Sequence, residues 1–397
     1  KAIADVNNKK SSEAHKIEVE KAQASALASK INETKVVLTA EAGKDGRFYG
    51  AITAKDIAEA VKAVLANKRG GEWFKNSSTC DFSGDRYLLT PSYYAYLRIS
   101  EGCDNNCTYC VIPEMQGPHR SKTIEQIVLE ANELAEQGVT ELVLVAQDTT
   151  YYGVDIYGER KLGELLERLC AIEKLEWIRL HYAYPTDFPD EVIEVMARQK
   201  KICRYLDIPF QHISDNQLSA MKRRHTKADA LRLVEQLRAS IPDIALRTTL
   251  LVGYPGETEE DFAELMEFVR ETKFDRLGVF PYSEEEGTYS ATRLKDDVPE
   301  EVKHDRVDRI MRLQERVSLE NSARRVGQTM RVIIDRKEGD FYIARSEYDS
   351  PEVDQVILIP AAQRQLRRGC FYDVHITHAD GYDLYGEVIA PARKSRK

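Results

Sequence analysis

Six apolar runs of strand length, each followed by a helical pattern, fill the middle of the 397-residue chain. The predicted strands are 94–99, 141–146, 177–181, 205–209, 246–252 and 276–280. The predicted helices are 124–137, 162–169, 190–197, 215–221, 227–240, 259–272 and 299–321. This alternation predicts an α/β fold over residues 94–325, in which helices cover a parallel sheet. In a barrel-like version of such a fold, functional groups gather where the strands end.

Weaker patterns flank this middle region. Residues 1–71 combine an exposed helix with a hairpin and a second helix, which predicts a small α+β module. Residues 72–93 have no clear periodicity and are predicted to be a linker. Residues 327–390 contain five short strand patterns separated by turn residues, which predict a small β-barrel. Its predicted strands are 329–335, 341–345, 355–359, 371–377 and 382–389. The basic tail 391–397 is predicted to be disordered.

The composition predicts a soluble, cytoplasmic protein. Hydrophobic residues make up 42% of the chain and charged residues 31%, and no apolar run is long enough to span a membrane. The first residues carry no signal-peptide pattern. Seven cysteines, three of them clustered, fit a reducing compartment and a metal site better than a disulfide framework. The net charge of −9 argues against binding nucleic acid through charge alone.

The clustered cysteines, Cys103, Cys107 and Cys110, follow the first predicted strand with the spacing C-x-x-x-C-x-x-C. Three thiolates on one short loop can hold three irons of a [4Fe–4S] cluster and leave the fourth iron open. A structural zinc site normally has four protein ligands, and the sequence nearby offers no second cysteine pair or histidine pair. Three clustered cysteines cannot all form local disulfides. The triplet therefore predicts one iron–sulfur cluster in this chain.

The cysteine loop resembles that of the radical S-adenosylmethionine enzymes, because it follows a first strand and carries an aromatic residue, Tyr109, immediately before the third cysteine. The resemblance implies a partial (β/α)6 barrel and a bound S-adenosylmethionine. It also implies that Tyr109 lies beside the adenine of that cofactor.

Residues near the ends of other strands are candidates for cofactor contacts, and each also has a purely structural interpretation. Gln147 and Asp148 could hold the amino or carboxylate group of the cofactor, or cap a helix. Gln211 could bind the ribose, or be a satisfied structural polar group. Arg247 could pair with the cofactor carboxylate. Gly253 would let the backbone approach a flat ring, and it also suits a tight turn.

Longer runs resemble the methylthiotransferases among the radical enzymes. They are SEGCDNNCTYCVIP at 100–113 and GYPGETEEDF at 253–262. One branch of that family modifies an adenosine of tRNA, and the other an aspartate of small-subunit ribosomal protein twelve. The runs that favour the second branch are HYAYP at 181–185, YLDIPFQH at 205–212 and DRLGVFPYSEEEGT at 275–288. The third region, including EYDSPEVD at 347–354, resembles the TRAM domain that ends these enzymes.

The resemblance, which covers about residues 71–389, implies a reaction. An electron from the cluster would cleave S-adenosylmethionine, the resulting radical would take hydrogen from the aspartate β-carbon, and a methylthio group would be added there. The expected electron donor is a flavodoxin or a ferredoxin. Two alternatives remain open: methylthio transfer to tRNA adenosine, and a non-enzymatic ribosome-binding protein built around the first region.

The first region departs from the methylthiotransferase pattern. Residues 42–60 (AGKDGRFYGAITAKDIAEA) resemble the C-terminal half of large-subunit ribosomal protein nine, and the resemblance extends over about residues 9–65. It implies a contact with the ribosome. The methylthiotransferases carry three further cysteines for a second cluster before the radical domain, whereas here only Cys80 precedes Cys103. We therefore expect this chain alone to cleave S-adenosylmethionine but to insert little methylthio group.

The charge of the predicted barrel favours a protein substrate. Between residues 327 and 390 the chain has eleven acidic and seven basic residues, a net charge of −4. An RNA-binding barrel should be basic, whereas an acidic one suits a basic ribosomal protein. Asp349, Glu352 and Asp354 are predicted to contribute to this docking.

Overall fold

The computed structural model describes Leu88 and residues 90–392. The chain divides into two compact units, Lys1–Asn76 and Ser77–Lys397, and every described residue belongs to the second. The predicted α+β module, most of the predicted linker and residues 393–397 of the tail lie outside the described residues.

The first part of the described chain forms a parallel sheet, as predicted. Its strands and a small neighbouring ribbon are β1 Tyr94–Arg98, β2 Ser100–Glu101, β3 Arg120–Ser121, β4 Glu141–Val145, β5 Trp177–Leu180, β6 Ile202–Asp207, β7 Ala245–Val252 and β8 Arg276–Pro281. The sheet has the order β1-β4-β5-β6-β7-β8, and all its neighbours pair in parallel. Its two edges, β1 and β8, do not pair with each other, so the six strands form an open sheet whose carboxyl ends share one edge.

Helices connect the strands and pack on the outer face of the sheet. They are α1 Ile112–Gln116, α2 Ile124–Glu136, α3 Val154–Tyr157, α4 Leu162–Cys170, α5 Asp190–Arg198, α6 Asp215–Ala220, α7 Lys227–Ser240, α8 Glu259–Thr272, α9 Tyr289–Arg293 and α10 Glu300–Ala323. Threonine side chains begin α2, α7 and α8 with capping boxes. The seven longer helices confirm the predicted ones, whereas the sequence analysis missed α1, α3, α9, β2 and β3.

The last part of the described chain closes into a five-stranded barrel, as predicted. Its strands are β9 Thr329–Glu338, β10 Phe341–Ser346, β11 Ile357–Pro360, β12 Phe371–Asp380 and β13 Asp383–Pro391. They are ordered β10-β11-β13-β12-β9, and only β11 and β13 pair in parallel. Because β13 extends to Pro391, the predicted tail begins inside the barrel.

The barrel packs against the amino-terminal part of the sheet's inner face. Trp177, the first residue of β5, meets Phe371 edge to face with ring centroids 4.9 Å apart. Tyr94 and Tyr205 belong to the same buried apolar cluster as the barrel core. The outward-facing side chains of the strands belong instead to a larger cluster with the helices. This packing leaves the carboxyl edge of the sheet away from the barrel core.

No helix among the described residues is long and apolar enough to cross a membrane.

Candidate functional site

The cysteine loop begins directly after β2, where the chain leaves the first strand of the sheet. Gly102 starts it with a φ of 73°, and a β-carbon there would overlap the carbonyl oxygens of Gly117 and Pro118. The backbone N–H of Cys103 donates to the Gly117 carbonyl (3.2 Å), and that of Cys110 donates to the Cys107 carbonyl (3.0 Å). The backbone therefore holds the three cysteines in one compact loop, as the spacing predicted.

Segments that follow the other five strands of the sheet all contact this loop. Asn105 Nδ2 donates to Asp148 Oδ2, after β4 (3.0 Å), and Cys107 Sγ lies 3.7 Å from the hydroxyl of Tyr184, after β5. Arg223, after β6, brings its Nη1 to 3.6 Å from Cys107 Sγ. The Thr108 hydroxyl meets that of Tyr254, after β7 (2.7 Å), and the Thr108 carbonyl accepts from the N–H of Ser290, after β8 (2.9 Å). The fold thus centres the carboxyl edge of the sheet on the cysteine loop.

Cys107 has two side-chain neighbours that the sequence analysis missed. Arg223 is 8% exposed, and its guanidinium lies over the Tyr184 ring at 4.1 Å from the ring centre. Its Nη2 donates to the Pro209 carbonyl (2.6 Å) and its Nη1 approaches the Tyr109 hydroxyl (3.5 Å). Tyr184 lies in the HYAYP run and Arg223 in a Lys-Arg-Arg-His run, but neither run has a spacing that places it beside a cysteine.

Burial acts on the thiols of the cysteine loop. It raises the pKa of the Cys103 thiol to about 11 and also raises the pKa of Cys110. Thiols must lose their protons to bind iron, so a cationic group beside them favours a loaded site. Arg223 supplies one, and its buried Nε has no hydrogen-bond partner.

The donor set fits a cubane cluster rather than a single ion. Across residues 90–392 no group of three or more His, Cys, Asp or Glu side chains is arranged to hold one metal ion. A [4Fe–4S] cluster differs, because its three thiolates bind three separate irons and need not converge on one point. Three thiols on one loop, with a buried guanidinium beside them, suit such an anionic cluster.

Asp148, one of the predicted cofactor contacts, touches the cysteine loop, and Gln147 precedes it after β4. Asp148 Oδ1 caps the short 3₁₀ helix Thr149–Tyr151 by accepting from the N–H and hydroxyl of Thr150 (3.0 and 2.7 Å). Its other oxygen accepts from Asn105 in the cysteine loop. The side chain of Gln147 is exposed, and its Nε2 lies 3.4 Å from Gln116 Oε1. Asp148 therefore serves as a cap and as a tie to the cysteine loop.

Gln211 and Gly253 have constrained backbones at this edge. Gln211 has a φ of 69°, and it pairs with β7 through its N–H to the Thr249 carbonyl (2.9 Å) and its carbonyl to the Leu251 N–H (2.7 Å). Gly253 has a φ of 71°, and a β-carbon there would overlap the side chain of Lys303. Lys303 therefore requires a glycine at position 253, whatever else approaches that backbone.

Arg247, which the sequence analysis predicted to pair with the cofactor carboxylate, lies away from the cysteine loop. It is the third residue of β7, about 16 Å from the end of that strand at ~3.3 Å per residue. Its Nη1 donates to Asp354 Oδ1 of the barrel segment (2.6 Å), and its Nε lies 3.8 Å from Asp207 Oδ1. The guanidinium is thus already paired, on the side of the sheet that faces the barrel.

The acidic charge of the barrel is mostly turned inward. Five acidic and five basic residues of the barrel region are exposed: Glu338, Asp340, Glu352, Asp380 and Glu387, and Arg336, Lys337, Arg364, Arg367 and Arg368. Three inward acids, Glu347, Asp349 and Asp354, pair with Arg204, Arg276 and Arg247 of the sheet. Asp349 and Asp354 are therefore not docking groups, and the predicted contribution of these two residues is wrong. The negative charges of Asp349 and Asp354 instead stabilise the contact between barrel and sheet.

A cleft of about 480 Å³ lies at the opposite, amino-terminal side of the sheet. Its lining includes Ile202 at the start of β6, Arg204, Arg331 and Glu347. Arg204 and Arg331 of this lining are paired with Glu347 and Glu176, so both guanidinium groups are already engaged.

Three family models match this chain. The Radical SAM superfamily matches residues 97–269, the TRAM domain residues 326–389, and the C-terminal domain of ribosomal protein L9 residues 22–68. The first two correspond to the open sheet and to the closed barrel. The third falls outside the described residues.

Curated relatives match over most of the chain. The ribosomal protein uS12 methylthiotransferase RimO of Bacteroides thetaiotaomicron is 53% identical over 305 residues, which cover 77% of this chain and 70% of the relative. The protein of that name from Phocaeicola vulgatus is 51% identical and covers 88% of this chain and 83% of its own. Among solved structures, the radical SAM enzyme coproporphyrinogen III oxidase of Escherichia coli is 16% identical to this chain, with a TM-score of 0.44. The match covers 71% of this chain and 67% of that enzyme. On the identity to the first two relatives, the chain belongs to the ribosomal protein uS12 methylthiotransferase family.

Proposed function

We propose that this protein is a radical S-adenosylmethionine enzyme that adds a methylthio group to the β-carbon of an aspartate in ribosomal protein uS12. The observation that carries the proposal is the 53% identity to a uS12 methylthiotransferase over three quarters of the chain. The three thiols gathered at the carboxyl edge of the sheet supply a fitting site. The alternative substrate, a tRNA adenosine, is an outcome of the test below.

Cys103, Cys107 and Cys110 would hold a [4Fe–4S] cluster in this site. When bound, the cluster and S-adenosylmethionine supply the radical that removes hydrogen from the substrate carbon. The protein's own part is to hold the reacting groups in register, which the ties from five strand ends to the cysteine loop favour. Buried Thr108 and Tyr254 limit movement of the loop.

The contacts of S-adenosylmethionine are part of the proposal. We assign Tyr109, Gln147, Asp148, Gln211 and Gly253 to its surroundings, because all five lie at the carboxyl edge that carries the cysteines. A contact with Arg247 would have to compete with Asp354 and Asp207, which already pair with that guanidinium. The electron donor, the second cluster of the family and a ribosome contact through residues 1–71 stay predictions.

The test is anaerobic turnover with S-adenosylmethionine and dithionite, offering purified uS12 or tRNA and following 5′-deoxyadenosine and the mass of each substrate. We expect cleavage with modification of uS12 when sulfide is supplied, and little modification without it. Modified tRNA beside unmodified uS12 would overturn the choice of substrate. Repeated uS12 modification without added sulfide would contradict that expectation.

Cysteine variants test the metal site in the same assay. Cys107→Ala should lose the cluster and all cleavage, because two thiolates cannot hold a cubane. Cys370→Ala is the matched control, because Cys370 is exposed on the barrel and should keep both. We expect about one cubane per chain after reconstitution. Iron equal to about two cubanes would reveal a second site.

A further inference from the structure

The three cysteines differ in the groups that surround their sulfur atoms. The backbone and side chain of Asn105 neighbour the thiol of Cys103, and the backbone of Ile112 neighbours that of Cys110. Cys107 instead faces the Arg223 guanidinium at 3.6 Å and the Tyr184 hydroxyl at 3.7 Å. Within the described loop, Cys107 is therefore the cysteine whose sulfur contacts a charged side chain, that of Arg223.

Arg223 is held rigidly in this position. Its Nη2 donates to the Pro209 carbonyl at 2.6 Å, and its guanidinium stacks on the Tyr184 ring. Being buried, its charge is poorly screened by water and acts strongly on a neighbouring sulfur. Tyr184, 7% exposed, is fixed by the same stacking, so its hydroxyl keeps its direction toward Cys107.

We propose that Arg223 and Tyr184 are positioning residues that raise the reduction potential of the cluster held by Cys107. Hydrogen bonds to a cluster sulfur and a nearby positive charge stabilise the more negative, reduced state. The pair would thereby make one-electron reduction by a biological donor easier. This inference rests on the proposed function only in requiring a cluster on the three cysteines.

Tyr184→Phe separates this role from a structural one, because it keeps the ring that Arg223 stacks on and removes the hydroxyl. We expect the variant to load the cluster and to show a more negative midpoint in an EPR-monitored redox titration. Arg223→Gln should shift the midpoint further, lowering the ratio of reduced to oxidised cluster at a fixed potential about tenfold, which is about 59 mV for one electron. Arg223→Lys, which keeps the charge, should recover part of that shift.

Arg224→Gln is the matched control. Arg224 is the exposed neighbour of Arg223 and contacts the carbonyl of Asp104 rather than a sulfur, so its loss should leave the midpoint unchanged. Loaded Tyr184→Phe with the wild-type midpoint would overturn the inference and leave the proposed function intact. If Arg223→Gln fails to load, Tyr184→Phe alone decides. A wild-type chain that takes up no cluster would overturn both proposals.

Discussion

Asp207 is a buried carboxylate at the end of β6 with an unusual environment. It is 4% exposed, and its Oδ1 has no hydrogen-bond partner. Burial raises its pKa from 3.8 to about 6, although Arg247 nearby acts in the opposite direction. The folded protein therefore prefers the protonated form of this group more than the unfolded chain does.

Replacing Asp207 with Asn should remove a pH-dependent loss of stability. The wild-type side chain is protonated in both states only well below its unfolded pKa of 3.8, and as the pH rises from there to about 6 the unfolded chain ionises more readily, so stability falls. The shift corresponds to about 3 kcal/mol. Urea unfolding of the metal-free chain measures this effect. Between pH 4 and pH 7 the free energy of unfolding of Asp207→Asn should rise relative to that of wild type by most of that amount.

The exposed Asp380 supplies the control for this experiment, because Asp380→Asn also removes a carboxylate but not a buried one. A difference between Asp207→Asn and wild type that stays constant over this pH range would contradict the assigned burial effect.

Site residues that lie close together in the sequence could be predicted from their spacing. Cys103, Cys107 and Cys110 stand within eight positions, so their shared loop was predictable. Arg223 reaches Cys107 across 116 positions, and Arg247 reaches Asp354 across 107. Such contacts depend on how distant segments pack, and no periodicity encodes them.

The larger elements were predictable because burial imposes a period on their side chains. In α7, for example, Ala230, Leu233, Val234 and Leu237 recur on one buried face, and Thr226 marks the start by its capping box. The elements that were missed are too short to show a period. The β2–β3 ribbon pairs two residues with two, and α1 has no buried residue, so neither leaves a pattern in the sequence.

Two capping carboxylates should differ in their importance. In α7, partly exposed Asp229 accepts from the N–H and hydroxyl of Thr226. In α8, buried Asp261 plays the same part for Thr258 and also accepts from Ser214 and Asn216, which follow β6. Asp261→Ala should cost about 3 kcal/mol because it removes a buried carboxylate and leaves the buried Ser214 hydroxyl unpaired, and Asp229→Ala about 1 kcal/mol.

Hydrogen exchange measured by mass spectrometry checks this prediction helix by helix. The N-terminal turn of α8 should lose far more protection in Asp261→Ala than the corresponding turn of α7 loses in Asp229→Ala. Equal losses in the two helices would mean that the ties to Ser214 and Asn216 add little to the cap.

For the whole molecule, the main departure from expectation is how the barrel joins the sheet. Arg179 Nη1 donates to the carbonyl of Glu347 (2.7 Å), and His181 Nε2 meets the Ser350 hydroxyl (2.7 Å). Glu352, with a φ of 67°, accepts from the Tyr94 hydroxyl (2.9 Å). The EYDSPEVD segment thus lies against the inner face of the sheet. Its acidic residues account for part of the barrel's net negative charge, which the sequence analysis attributed to docking of a basic partner. An electrostatic test of uS12 docking therefore belongs on exposed acids such as Asp340.

A buried ion network crosses the same junction and carries the final prediction. Arg345 of the barrel donates to both oxygens of Glu141 in β4 (3.1 and 2.8 Å) and to Asp335 (2.7 Å), and Arg179 of β5 also donates to Glu141 (3.1 Å). Glu141 is fully buried, and these arginines lower its pKa against the effect of burial. Removing Arg345 would leave Glu141 and Asp335 undercompensated.

Arg345→Met should therefore cost about 3–5 kcal/mol, since it keeps volume but breaks a buried network on one side. We expect a lower thermal midpoint and earlier proteolytic cleavage between α10 and the barrel. The control Arg336→Met breaks an exposed pair with Glu338 in the same barrel and should change stability by less than about 1 kcal/mol. Indistinguishable midpoints for the two variants would show that apolar packing around Trp177 and Phe371, rather than the ion network, holds barrel and sheet together.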